Sequence, residues 1–267
     1  MKKIYIFLLL FLVAGLNCHA QADRPATKQQ RIDAAKAFIE KGAVLSPYTV
    51  KDFLQASGYV FYPENYSKDL QKRAAKGDMK AMRDVTYYKA LTCEVYNQNE
   101  LQKAIVSINK FFQSISESPA TTVDTEENKP IISSMSVIYY TLLEEAMGYD
   151  DIVNTWATLF NVEPGNVPVS NSYARAMINA YFKSNSYKIG DYFTIGNRLL
   201  LRNIKENEDI ISTILMIKML KYQAYKNNSE SWNSTMNGYK KILSELSDGQ
   251  ISDVPFNESS LSSSKVF

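Results

Sequence analysis

Helical periodicity runs along nearly the whole chain and restricts its fold more than any other feature of the sequence. Apolar residues over 101–115 are spaced three and four positions apart, which places them on one face of a helix. The stretch 131–146 repeats this pattern. Residues 210–220 are apolar on nearly every side, as in a helix enclosed by its neighbours. No run of period-two alternation indicates a strand, so the sequence predicts an all-α fold.

The breaks between the predicted helices are short and rich in turn-forming residues. They occur at Gly77-Asp78, at Gly148-Tyr149-Asp150 and at Pro164-Gly165-Asn166. Short turns make consecutive helices antiparallel neighbours. In addition to the two helices above, we expect helices near residues 26–42, 48–57, 66–76, 79–97, 150–161, 169–184, 187–203, 207–226 and 230–247.

The first twenty residues have the composition of a secretory signal peptide. Lys2 and Lys3 precede an apolar run over residues 4–16, and a small-residue cleavage site ends at Ala20. This run is short for a permanent transmembrane helix, and no later apolar segment reaches the roughly 20 residues that such a helix needs. We therefore expect cleavage after Ala20 and a periplasmic or secreted protein. The alternative is a lipid anchor in the envelope, attached through Cys18 as in bacterial lipoproteins.

Cleavage after Ala20 would leave a chain of balanced charge without histidine. The leader holds two of the 30 basic residues and the single histidine, so 28 basic residues would face 28 acidic ones. A neutral chain has no global field to hold nucleic acid, and we expect no nucleic-acid partner. Catalytic triads and zinc sites that use histidine cannot be built, and Cys93 alone cannot form an intramolecular disulfide. The interpretation is a protein that is not an enzyme and uses neither metal nor cofactor.

Carboxylates keep one enzymatic alternative open. Glu144-Glu145 and Asp150-Asp151 flank a predicted corner between helices and can supply the acid pair of a glycan-cleaving enzyme. Asp150 and Asp151 also lie where acidic residues favour a helix N-terminus, which is the simpler interpretation. The acidic residues within 124–127 match no defined calcium loop. Ser107 and Lys110 match a serine-lysine motif, but both lie off the apolar face of their helix.

Two polar stretches suggest how the chain is divided. Residues 117–130 are polar and contain two prolines, which is typical of a loop. This loop would separate an N-terminal helical region, 21–116, from a C-terminal one, 131–254. The segment 255–267 is rich in serine and holds few apolar residues, so we expect it to be poorly ordered.

The region after the second predicted turn resembles a helical repeat. Ile152, Trp156, Leu159 and Pro164 have the spacing of the second helix of a tetratricopeptide unit with its closing proline. The corner over residues 74–82 is similar to that of Sel1-like repeats. The resemblance extends over about half of the chain that would remain after cleavage. It implies antiparallel helix pairs stacked as a short superhelix, whereas the alternative is an irregular helical bundle.

The same resemblance implies a concave binding face lined by the first helix of each pair. Arg175 and Asn179 lie one helical turn apart and can address the same ligand group. Such faces bind proteins or peptides, so we expect an exported bacterial envelope protein of this class, one version being an inhibitor or immunity-type protein. The competing classes are the glycan-active enzyme and a structural subunit of an outer-membrane assembly. The candidate binding residues are Ser136, Tyr140, Asn171, Arg175, Asn179 and Lys218.

Overall fold

Eleven α-helices and two short 3-10 helices form the part of the protein that its computed structural model describes, namely residues 26–59, 68–91, 98–117, 128–183, 189–258 and 265–267. No strand occurs within these ranges, which confirms the predicted all-α class. The helices are α1 (Lys28–Glu40), α2 (Val50–Ala56), α3 (Lys68–Ala75), α4 (Met79–Leu91), α5 (Gln98–Ser116), α6 (Asn128–Leu143), α7 (Tyr149–Val162), α8 (Val167–Lys183), α9 (Ile189–Asn207), α10 (Ile210–Asn227) and α11 (Asn233–Leu246). The 3-10 helices are Glu144–Ala146 and Glu230–Trp232.

Polar side chains explain where two of the helices begin. The hydroxyl of Thr27 accepts a hydrogen bond from the Gln30 N–H at 3.2 Å, and the Gln30 side chain accepts one from the Thr27 N–H at 2.9 Å. This reciprocal capping box satisfies two backbone donors at the start of α1. Asp209 caps the start of α10, since its carboxylate accepts from one backbone donor, the Ser212 N–H, at 2.7 Å.

The predicted turns coincide with junctions between helices. Gly77 has a φ of +88°, a backbone conformation that favours glycine, and it ends the connection after α3. Asp78 then accepts a hydrogen bond from the backbone of α4. At the junction of α7 and α8, the side chain of Asn166 accepts from the Val169 N–H at 3.1 Å. Local chemistry therefore determines these helix ends.

Two compact units divide the chain, and their boundaries differ from the expected division at residues 117–130. The first unit contains the described parts of 1–26, 46–51 and 59–145, and the second those of 27–45, 52–58 and 146–267. Helix α6 therefore belongs with α3, α4 and α5, while α1 belongs with the helices from α7 onward. Helix α6 also begins at Asn128, so Pro130 lies in a first helical turn, where no intrahelical N–H bond is needed. Residues 118–127 of the predicted loop lie outside the described ranges.

The first unit is formed by helices that pack in sequence. Helix α4 packs against α3 and α5, and α6 packs against both α4 and α5. The predicted apolar face of α5 is buried at Ile108 and Phe111, as the periodicity indicates. The rings of Phe112 and Tyr139 meet edge to face at 6.2 Å, joining α5 to α6.

The second unit is arranged around α8, which packs along α7 and α9. Helix α10 packs against α9 and α11 and also contacts α8 and α1. Every residue from Ile210 to Leu220 is buried, which confirms that this apolar stretch is enclosed. Helices α8 and α9 pack closely at Gly196, where a Cβ atom would lie 2.9 Å from a side-chain carbon of Ile178. None of the described helices combines the length and apolar character that a membrane crossing requires.

The segment predicted to be a poorly ordered tail contains two buried residues at its end. Val266 and Phe267 are buried in the second unit, and Val254 is buried shortly before the tail. Lys221 on α10 holds Asp253 by an ion pair at 2.8 Å. Burying a large aromatic side chain away from water stabilises the folded protein. The buried ring of Phe267 therefore favours packing of the end of this segment among the helices. Residues 259–264 lie outside the described ranges.

Candidate functional site

The six residues predicted to line an open binding face are all buried. None of Ser136, Tyr140, Asn171, Arg175, Asn179 and Lys218 is more than 5 % exposed. The expectation of a solvent-exposed face therefore does not hold for them. The physical reason is that their helices are covered by other segments of the chain, so polar side chains there contact protein instead of water.

In the first unit, Ser136 and Tyr140 make contacts within the protein. The hydroxyl of Ser136 donates to the carbonyl oxygen of Ile132 one turn earlier, at 3.0 Å. The ring of Tyr140 packs edge to face on Tyr139 at 5.6 Å. These contacts are typical of helix interiors and aromatic cores.

Asn171 lies at the centre of a buried hydrogen-bond network that joins three helices. Its side-chain oxygen accepts from Asn203 at 2.8 Å and from the Ser212 hydroxyl at 2.6 Å. Its amide nitrogen donates to the Asp209 carboxylate at 2.8 Å. Asn171 therefore connects α8 to α9 and to the capped start of α10, which is a structural role.

Arg175 and Asn179 contact different groups, although they lie one turn apart on α8. The guanidinium carbon of Arg175 lies 5.8 Å from the centre of the Trp156 ring on α7, within the range of a cation–π interaction. The side chain of Asn179 contacts residues 266 and 267. The joint action of these two residues on one ligand group stays a prediction.

Asn179 binds the main chain of a distant segment with all of its polar atoms engaged. Its side-chain oxygen accepts from the N–H groups of Val266 and Phe267, both at 3.1 Å. Its amide nitrogen donates to the main-chain oxygen of Phe267 at 3.0 Å. Because these bonds involve backbone groups alone, the recognition does not depend on which side chains the segment carries.

The ring of Phe267 is enclosed by aromatic residues of α8 and α10. Phe182 stacks on it with ring centres 6.2 Å apart and planes 19° apart, and Tyr222 meets it edge to face at 6.3 Å. Phe182 and Tyr222 contact each other at 4.3 Å, and Phe267 is fully buried. We call this arrangement the Phe267 site: Asn179, Phe182, Lys218 and Tyr222 around residues 266–267.

Lys218 forms the charged wall of the Phe267 site. Its ammonium donates to the carbonyl oxygens of Gly42 at 2.7 Å and Ala43 at 3.0 Å, and its nitrogen lies 5.5 Å from the centre of the Phe267 ring. No carboxylate within the described ranges forms an ion pair with it. Burial lowers the pKa of Lys218 to about 7, because leaving water disfavours the charged form.

Two predicted binding residues, Asn179 and Lys218, therefore meet at one site, while Asn171 and Arg175 have separate contacts. Sequence reasoning missed Phe182, Tyr222 and Phe267. The only available signal for Phe267 was an apolar pair, 266–267, that follows a run of serines. Periodicity describes one helix face at a time and does not reveal which distant segment covers it.

The carboxylates of the enzymatic alternative differ in their exposure to solvent. Glu144 is buried, whereas Asp150 and Asp151 are exposed in the first turn of α7, where their charge favours the helix N-terminus. The described ranges hold no group of three or more side chains able to bind a metal ion. Cys18, Cys93 and the acidic residues of 124–127 lie outside those ranges.

Comparisons with protein-family models, with curated proteins and with solved structures give no match for this chain. The chemistry of the Phe267 site is consequently the basis for a functional interpretation. Its groups bind a main chain and a ring: one side-chain amide, two aromatic rings and one buried ammonium.

Proposed function

We propose that this protein is a binding module for a peptide or protein partner and that the partner's chain occupies the Phe267 site. The observation that carries the proposal is the set of three hydrogen bonds between Asn179 and the backbone of residues 266–267. Peptide-binding sites combine main-chain hydrogen bonds, which supply affinity, with pockets for side chains, which supply specificity. The Phe267 site offers both, and the protein's own segment fills it.

We further propose a tetratricopeptide-like arrangement for the second unit. If α7 is the second helix of a repeat, as its apolar spacing predicts, then α8 and α10 are the first helices of the next two pairs. In such a repeat the first helices line the concave side of the superhelix. Asn179 on α8 and Lys218 on α10 belong to these faces, and both contact non-helical segments of the chain. The close approach of α8 and α9 at Gly196 supports tight antiparallel pairing in this unit.

The proposed place of action is the bacterial envelope. The leader over residues 1–20 supports export with cleavage after Ala20, and a lipid anchor at Cys18 is the variant of this proposal. A protein of this class can act as an inhibitor or immunity-type protein by binding a secreted effector. Fractionation of cells and determination of the mature N-terminus test the export step directly.

Peptide binding tests the central proposal. In the full-length protein, residues 266–267 compete with any added peptide for the site. The variant Phe267→Ala loses the ring that fills the site, which weakens the binding of this internal segment by about 3–5 kcal/mol. A fluorescent peptide with the sequence of residues 264–267, Ser-Lys-Val-Phe, is titrated with this variant and with the unchanged protein, and anisotropy is recorded. We expect the Phe267→Ala variant to bind the peptide and the unchanged protein to bind it at least tenfold more weakly.

A second substitution shows whether Asn179 holds the peptide. Adding Asn179→Leu to Phe267→Ala is expected to abolish binding, because the peptide backbone loses its three partners. Asn237→Leu, at an exposed position of α11, is the matched control and should leave binding unchanged. The proposal fails if a folded Phe267→Ala protein binds no peptide, or if binding persists without Asn179.

A further inference from the structure

We propose that Lys218 makes the Phe267 site selective for an aromatic side chain, so that the partner presents a segment with an aromatic residue at the position of Phe267. This inference rests on the proposed function and adds to it the chemical class of the ligand. It assigns Lys218 the role of a specificity-determining residue.

Two carbonyl oxygens account for two of the three ammonium protons of Lys218. The Gly42 and Ala43 carbonyls accept two of its three N–H groups, and the described ranges offer no acceptor for the third. The Phe267 ring centre is 5.5 Å from the nitrogen, within the roughly 6 Å over which a cation is attracted to an aromatic face. A leucine or cyclohexyl side chain of similar bulk has no such electrostatic face.

The burial of Lys218 increases the importance of this contact. Lys218 is only 4 % exposed, so bulk water screens its charge little. An uncompensated buried ammonium is costly, and burial accordingly lowers the pKa of Lys218 to about 7. An aromatic occupant relieves part of that cost, and an aliphatic occupant does not.

The turn after α1 holds the ammonium in place. Gly42 has a φ of +87° and Ala43 a φ of +50°, so two consecutive residues are left-handed and both of their carbonyl oxygens reach Lys218. A residue with a side chain is strained in this conformation, and it persists only where its surroundings enforce it. The two carbonyl oxygens therefore hold the Lys218 ammonium beside the ring of Phe267, where it can interact with an aromatic side chain.

Two peptides that differ only in aromaticity test the inference. The full-length Phe267→Ala variant is titrated with Ser-Lys-Val-Phe and with the same peptide carrying cyclohexylalanine in place of phenylalanine. The titrations are done at pH 6, where Lys218 carries its charge. We expect the aromatic peptide to bind about tenfold more tightly. Adding Lys218→Met should bring the ratio of the two affinities close to one, while Lys218→Arg should retain the preference.

The outcomes separate this inference from the proposed function. Equal affinities for the two peptides, or a preference that survives Lys218→Met, overturn the role of Lys218 but leave peptide binding intact. Absence of binding for both peptides contradicts the proposed function and this inference together. Lys241→Met, an exposed lysine of α11, is the control and should leave the affinity ratio unchanged.

A second measurement applies if the Phe267→Ala variant does not fold. Phe267→Leu and Lys218→Met are then made singly and together in the full-length protein, and the free energy of unfolding is measured for each. We expect a non-additive result, in which Phe267→Leu costs less once Lys218 is absent. Strict additivity of the two changes would contradict the inference.

Discussion

The side chain of Asn179 and the backbone of Phe267 form a reciprocal pair of hydrogen bonds across 88 positions of sequence. The Asn179 amide nitrogen donates to the main-chain oxygen of Phe267 at 3.0 Å, and the Asn179 oxygen accepts from the Phe267 N–H at 3.1 Å. Both residues are buried, so each of these polar groups would otherwise lack a partner. The pair fixes where the segment 265–267 lies and brings its ring beside Lys218.

Removing the amide of Asn179 should destabilise the second unit. Asn179→Leu leaves the N–H groups of Val266 and Phe267 without their acceptor, and we expect the free energy of unfolding to fall by about 1–3 kcal/mol. Denaturant unfolding followed by circular dichroism measures the change. Asn237→Leu, on the exposed side of α11, should shift it by less than about 0.5 kcal/mol. Equal shifts for the two variants would show that the bonds to residues 266–267 contribute nothing.

The stability of the protein should depend on pH through Lys218. The folded state holds the pKa of Lys218 at about 7, below its usual value of 10.5, because the side chain is buried. Between these two values the unfolded chain binds more protons than the folded one, so the free energy of unfolding rises with pH. The slope from this single group is at most about 1.4 kcal/mol per pH unit, and its contribution levels off as the pH falls below the folded-state pKa of about 7.

The pH effect is isolated by comparing the unchanged protein with Lys218→Met at pH 6, 7.5 and 9. As the pH rises, we expect the free energy of unfolding of the unchanged protein to increase relative to that of Lys218→Met. Lys241→Met, which removes an exposed lysine, should give a constant difference. Parallel curves for Lys218→Met and the unchanged protein would contradict this prediction.

Gly196 should not tolerate even a methyl group. A Cβ atom there would lie 2.9 Å from the Ile178 side chain and 3.0 Å from the carbonyl oxygen of Ala174. The carbonyl belongs to the backbone of α8 and cannot move away, so α8 and α9 would have to separate. We expect Gly196→Ala to cost about 1–3 kcal/mol in thermal or denaturant unfolding, although alanine is the better helix former.

Gly238 provides the matched control for Gly196. It also lies inside a helix, α11, and an added Cβ atom would meet nothing within 4 Å. Gly238→Ala should therefore stabilise the protein by about 0.5–1 kcal/mol through helix propensity alone. If the two substitutions change stability in the same direction, the close packing of α8 on α9 is not what limits Gly196.

The network around Asn171 should be more sensitive than any single bond in it. Asn171→Leu removes one acceptor and one donor, which leaves polar groups of Asn203, Asp209 and Ser212 with fewer partners. We expect a loss of about 2–4 kcal/mol in the free energy of unfolding. Ser212→Ala removes fewer bonds and should cost less, about 1 kcal/mol. A smaller effect for Asn171→Leu than for Ser212→Ala would refute the central position of Asn171.

The candidate site was predictable only in part. Asn179 and Lys218 were candidates because the repeat resemblance makes α8 and α10 first helices of their pairs, and the structure brings both residues to Phe267. Their exposure was predicted wrongly, since the segments at 42–43 and 265–267 cover them. Phe267 was missed because it follows a serine-rich stretch whose composition is typical of disorder.

The sequence alone determined the helices, because periodicity and capping act over a few residues. Examples are the apolar spacing on α5, the capping box formed by Thr27 and Gln30, and the turn at Gly77. Only the tertiary structure decided that α6 joins the first unit and that residues 266–267 pack on α8 and α10. Those outcomes depend on which apolar faces bury each other and on partners far apart in sequence. Hydrophobic burial is not directional, so a pattern along one helix does not specify what covers it.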